Sequence, residues 1–168
     1  MHTYIDDDKI CDILILLLAK SLPDLIIKGG ADEPFYQAPK VDNKAIIYFR
    51  SNYPRSLLHE LSHYCLAGER RRKLDDFGYW YSPCGRTADE QSLFEKFEAR
   101  PQGLEKAICE AIGLDFSPSL DDFSGRPASK AFLKKLEESY NEMRITPPPT
   151  AKKVLVALSN FNNYAQKI

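Results

Sequence analysis

Between residues 10 and 18 the apolar positions fall at Ile10, Ile13, Leu14, Leu17 and Leu18, the recurrence of one helix face. Asp6, Asp7 and Asp8 stand just ahead of them, where carboxylates meet the free amides and positive dipole end of a helix start. Leu22-Pro23 closes this helix, and its full apolar girth predicts that it is well buried. The period then changes. "LIIK", a Gly29-Gly30 turn, "DEPFYQAP" and "AIIYF" at 45–49 read as two or three short strands, with Pro34 and Pro39 at edges or loops. Helical spacing returns after Pro54, a first-turn residue, and Gly68 marks its stop, so "SLLHELSHYCLA" is predicted as a helix of roughly 14 residues.

Thr87-Ala-Asp-Glu90 has the form of a capping box and opens a further helix through about Ala99. Pro101 either kinks that helix or begins another, which Gly113 ends. After the loop "FSPSLDDFSGRPAS" comes a charged helix over about 129–143. The "TPPPT" run is a stiff connector, and Thr150 is expected to cap a last helix with Val154, Leu155 and Leu158 inward. The expectation is an α+β fold: one mostly helical domain over residues 1–168 with a small antiparallel sheet.

Composition narrows the function classes more than it identifies one. With 43% hydrophobic and 28% charged residues, 168 residues suffice for an ordinary globular core. A net charge of -1 gives no bulk electrostatic reason to bind nucleic acid. Cys11, Cys65, Cys84 and Cys109 lack the short gaps of zinc knuckles or redox motifs, so free thiols in a reducing compartment are expected. The N-terminal charges have the wrong sign for a signal peptide, and the run Ile13 to Ala19 is too short to span a bilayer. These features predict a cytoplasmic protein without a membrane partner.

"SLLHELSHYCLAG" concentrates the chemistry. His59 and His63 are four residues apart, so both imidazoles project from one helix face, where they can hold a divalent ion. Glu60, about 100° round the helix, is badly aimed as a further ligand but well placed to bond a metal-bound water, the H-E-x-x-H arrangement. Burying two imidazoles among Leu57, Leu58, Leu61 and Leu66 without a partner would be costly. The helix also follows a short strand, the order in which zincin folds present the motif, so a zincin-like arrangement is expected around it.

A third ligand is needed, and no third histidine lies nearby. The helix "DEQSLFEKFEARPQ" offers Glu90, Glu95 and Glu98. With Phe94 and Phe97 facing the core, Glu98 follows Phe94 by one turn on the inward side. Glu98 is the first choice and Glu95, read as lying on the opposite side, the alternative. Two histidines and one carboxylate suit either of two chemistries: zinc with Glu60 as general base against a peptide, or Fe(II) with positions open to O2 and substrate. Spacing alone does not choose.

The strings "LHELSHYCLAG" with its following "RR", "DFGYWYSPCGR", "FEKFEARPQGLE" and the earlier "KGGADEPFYQAP" resemble, in that order over roughly residues 25–125, the bacterial elongation factor P hydroxylases. The resemblance implies one divalent metal ion, Fe(II), held by His59, His63 and Glu98. It implies O2 as co-substrate and elongation factor P as partner, hydroxylated on a lysine that already carries a β-lysyl group. Tyr64 stands where tryptophan is expected and Cys84 where aspartate is.

Such a cationic side chain calls for aromatic and acidic cleft walls. Tyr79, Trp80 and Tyr81 are candidates for the first, and Asp75, Asp76 and Asp89 for the second; Asp89 also suits a helix first turn. Gln91 and Gln102 are placed to support the ligands, and Arg70, Arg71, Arg72 and Lys73 to steer an acidic protein. Two other readings stand beside the hydroxylase: a zinc metallopeptidase using Glu60, and a structural-metal module that docks a translation factor through the basic run.

Overall fold

The computed structural model describes residues 6–79, 85–121 and 124–167. Helix α1 spans Asp7–Ser21. Asp6 caps it by accepting from the Lys9 amide at 2.9 Å, and Ile10, Cys11, Ile13, Leu14 and Leu18 are buried. Strands β1 (Leu25–Ala31), β2 (Phe35–Gln37) and β3 (Ala45–Arg50) follow. Along β3 burial alternates, with Ala45, Ile47 and Phe49 turned inward.

The sheet is mixed rather than antiparallel. Its order is β1-β3-β2, with β3 parallel to β1 and antiparallel to β2. The chain reverses after β1 into β2 and reverses again into β3, which enters between the two. Two reversals restore the direction of β1, so those strands must run parallel.

Helix α2 (Pro54–Leu66) starts three residues after β3, with Pro54 at its first turn. The Ser56 hydroxyl accepts from the Arg50 amide at 2.9 Å and fixes the strand-to-helix corner. Gly68 is not a left-handed stop: its φ is -72°, and it leads into the single turn α3 (Glu69–Arg72). A 3-10 turn over Asp75–Gly78 comes next.

Helix α4 (Ala88–Ile112) runs unbroken through Pro101. It opens on the Thr87–Glu90 capping box and closes on Gly113 in the left-handed region. Helices α5 (Lys130–Ile145), α6 (Pro149–Leu158) and α7 (Phe161–Ala165) complete the chain. Thr150 lies inside α6 instead of capping it, because Pro149 already supplies a first-turn residue without an N–H.

The large core joins Leu57, Leu58 and Leu61 of α2 to Leu104 and Ile108 of α4, and to Leu14, Ile47 and Val154 of α1, β3 and α6. α2 is thus held between the sheet and α4. Among the described residues no helix is long and apolar enough to cross a membrane.

Candidate metal centre

The rigidity of α2 decides where the histidines point. Leu57, Leu58 and Leu61 are fully buried, so the helix cannot roll, and His59 and His63 share the face turned toward α4. Their Nε2 atoms lie 3.2 Å apart. From α4, Glu98, 3% exposed, brings Oε1 to 3.1 Å from His63 Nε2 and Oε2 to 3.5 Å from His59 Nε2. Two donors bound to one ion at about 2.1 Å stand about 3.0 Å apart at a right angle and about 3.4 Å apart at the tetrahedral angle. The two Glu98 distances run to different oxygens; taken as one donor atom per residue, the three side chains lie within 4.8 Å of one another, near enough to close on a single divalent ion.

The electrostatics fit as well. Burial of the His59 ring opposes protonation, but Glu98 and Glu105 outweigh it and lift its pKa to about 10. Burial would raise the Glu98 carboxyl; His63 and His59, helped by Gln102, bring it down to about 2 instead. Without an ion, the cluster is an imidazolium facing a carboxylate. A divalent cation can take the place of that proton.

Of the other carboxylates the sequence offered, Glu90 belongs to the capping box. Glu95 is buried rather than turned outward, and its carboxylate accepts from the Ser129 hydroxyl at the start of α5. That bond keeps it away from the histidines. Phe94 is buried as expected, but Phe97 is 39% exposed and lies against Tyr79, with ring centroids 5.6 Å apart. Glu60 lines the cleft beside the cluster, forms no hydrogen bond among the described residues, and is pushed up in pKa by burial.

Gln102 does reach a candidate ligand: its Nε2 donates to Glu98 Oε2 at 3.2 Å and to the Ser119 carbonyl at 2.7 Å. Gln91 does not; its Oε1 accepts from Arg86. Asp76 and Tyr79 line the cleft, whereas Trp80, Tyr81 and Cys84 lie outside the described residues. Asp75 is exposed and spends one oxygen on the Ala38 amide, as Asp76 does on that of Tyr36, both at 2.8 Å. Asp89 sits exposed in the first turn of α4. Tyr64 is buried under the Arg72 guanidinium. The basic run is partly structural, since Arg71 donates to the Phe77 carbonyl and Arg72 to that of Tyr64.

Asp76 and Phe77 both sit in the left-handed region, at φ 47° and 57°. For a residue with a Cβ this is strained, and such strain persists only where surroundings enforce it. Here it lays the Phe77 ring flat on Tyr36 at 4.1 Å and nearly parallel to His63 at 6.3 Å.

Sequence reasoning missed Glu105 and Arg55. His59 Nδ1 is 3.0 Å from Glu105 Oε2, and Arg55 Nε is 2.7 Å from Glu105 Oε1. A signal was present: Glu98, Gln102 and Glu105 recur at i, i+4 and i+7, a polar stripe on a helix side that is otherwise buried.

The cluster lies in an open cleft of about 650 Å³. Two imidazoles and a carboxylate, brought together by two packed helices under such a cleft, make this a protein with a candidate mononuclear metal site. The elongation factor P hydroxylase family model matches residues 18–167, and the chain belongs to that family. A relative from Haemophilus influenzae, described as an elongation factor P lysine hydroxylase, is 41% identical over 122 residues. The alignment covers 71% of this chain and 66% of that protein, just under two thirds of the relative's length.

Proposed function

We propose that this protein is an oxygen-dependent, non-haem metal hydroxylase acting on the β-lysylated lysine side chain of elongation factor P. The observation that carries the reading is the convergence of His59, His63 and Glu98, one donor atom from each within 4.8 Å of the others, under an open cleft in a chain of this family. In this reading the three side chains hold Fe(II). That ion, with three protein donors and open positions, supplies the binding and activation of O2. β3 leads straight into α2, in keeping with a zincin-like arrangement.

The chain's own residues do the rest. Asp76, with Glu33 and Asp121 on the same cleft, presents carboxylates to a cationic side chain. Tyr79 offers an aromatic wall, with Trp80 next to it in sequence. The cleft takes a long side chain while the folded factor stays outside. Glu60, whose burial favours the protonated carboxyl, would hold or hand over a proton at the cleft beside the cluster. The partner is a translation factor, so the reaction belongs in the cytoplasm and requires no nucleic acid.

The rival zinc metallopeptidase would need to lay an extended peptide along a strand edge. Of the two edge strands, β1 and β2, it is β2 that adjoins the cleft-lining Glu33 and Pro34, and there the outward amides of Tyr36 and of Ala38 just after the strand already donate to Asp76 and Asp75. A side-chain substrate does not need that edge. The test is to incubate β-lysylated elongation factor P with Fe(II)-loaded protein in air and under nitrogen. An added oxygen in air alone supports the hydroxylase. A cut peptide bond under either gas would transfer the reading to the peptidase.

A further inference from the structure

We propose that Glu105 and Arg55 are positioning residues for the metal centre, an inference that rests on reading His59 as a ligand. An imidazole presents a lone pair to an ion from one ring nitrogen only if the other carries the proton. His59 has its Nε2 in the cluster and its Nδ1 3.0 Å from Glu105 Oε2. An ionised carboxylate accepts only, so this contact fixes the proton on Nδ1 and the ring plane with it.

The geometry of the Glu105 carboxylate argues against a plain structural ion pair. Arginine and glutamate left to themselves favour a two-pronged contact. Here the two oxygens are divided, Oε1 to Arg55 Nε at 2.7 Å and Oε2 to the imidazole. Glu105 is 2% exposed, and a buried charge pair is seldom more stabilising than apolar residues of the same volume. Its place under His59 gives it a reason to be there.

Arg55 extends the support outward. Its Nη1 and Nη2 donate to the carbonyls of Asp115 and Ser117 at 3.3 and 2.9 Å, and its guanidinium lies over Phe116. Gln102 binds the same segment from the other ligand, donating to the Ser119 carbonyl and accepting from its amide at 2.9 Å. Residues 115–119, of which Ser117, Pro118 and Ser119 line the cleft, are thus tied to His59 through Arg55 and Glu105, and to Glu98 through Gln102.

The test reads metal binding rather than turnover. Affinity for Co(II) is measured by competition with a chelator, together with the visible spectrum of the bound ion, for the wild type, Glu105→Ala, Glu105→Gln and Arg55→Lys. Glu105→Ala is expected to weaken binding about 10- to 100-fold and to change the spectrum. Glu105→Gln, whose amide oxygen still accepts from Nδ1, should fall between it and the wild type. Arg55→Lys should lose several-fold.

A folded Glu105→Ala with wild-type affinity and spectrum would overturn the inference. If that variant does not fold, Glu105→Gln decides: weakened binding supports the assignment and unchanged binding overturns it. A wild type that binds no Co(II) would strike the metal reading itself, a result distinct from variants that all bind equally well.

Discussion

Burying Glu98 is costly unless its charge is answered, and two imidazoles answer it. For Glu60, one residue along from His59, burial outweighs the pull of the same imidazoles, and its carboxyl remains available to the cleft. The two carboxyls should therefore separate on substitution. Glu60→Gln is expected to keep one bound ion per chain but to lower hydroxylation about 100-fold or more, as for loss of a proton-transfer group. Metal analysis beside turnover checks this; loss of the ion would make Glu60 part of the binding set.

The thiols behave oppositely. Burial pushes Cys11, Cys65 and Cys109 from 9.0 up to about 12, so the folded chain keeps protons that the unfolded chain releases. A raised folded pKa means stability intact below about pH 9 and lost progressively toward 12. In ion-free protein the urea midpoint should already decline from about pH 6.5, because the folded chain keeps a His59 proton that the unfolded chain releases. It should fall more steeply above 9 as the thiols join it. These three cysteines should stay unlabelled by iodoacetamide in native protein at pH 8. Native labelling of any of them, read by peptide mapping, would contradict their burial.

At the scale of elements, α4 shows what a sequence reveals and what it conceals. The capping box was legible because its bonds are local, and so was Gly113, a left-handed stop. The passage through Pro101 was not. Proline there removes the N–H that would bond the carbonyl of Phe97, and Phe97 is half exposed, so water can take that bond. Whether a proline breaks a helix thus depends on tertiary surroundings.

Gly103 carries the same lesson. A Cβ at that position would come within 2.6 Å of the Ser139 side chain and 2.8 Å of the Tyr140 amide nitrogen, so α5 packs directly on the α4 backbone. Gly103→Ala should destabilise the protein by about 1–3 kcal/mol through this overpacking. Urea unfolding measures it, and an unchanged midpoint would mean that the two helices part at little cost.

For the molecule as a whole, the site is the product of how α2 docks on α4. His59 and His63 were legible from spacing, because one helix turn is a local fact. Glu98 was the first choice with Glu95 as the alternative, and the residues alone could not settle it, since which face of α4 meets α2 is set by Leu57, Leu61, Leu104 and Ile108 in a common core. Glu95 shows the limit: it is buried on the same helix, yet bound to Ser129 rather than to the site. The sheet's direction was hidden for a like reason, because strand order is decided by long-range pairing and not by period.

The most direct measurement is the intact mass of β-lysylated elongation factor P after incubation in air with Fe(II)-loaded wild type and, separately, with Glu98→Ala. The account predicts a gain of one oxygen atom with the wild type and none with Glu98→Ala, which should also fail to retain the ion. An unmodified factor with a metal-loaded wild type, or full hydroxylation by Glu98→Ala, would contradict it.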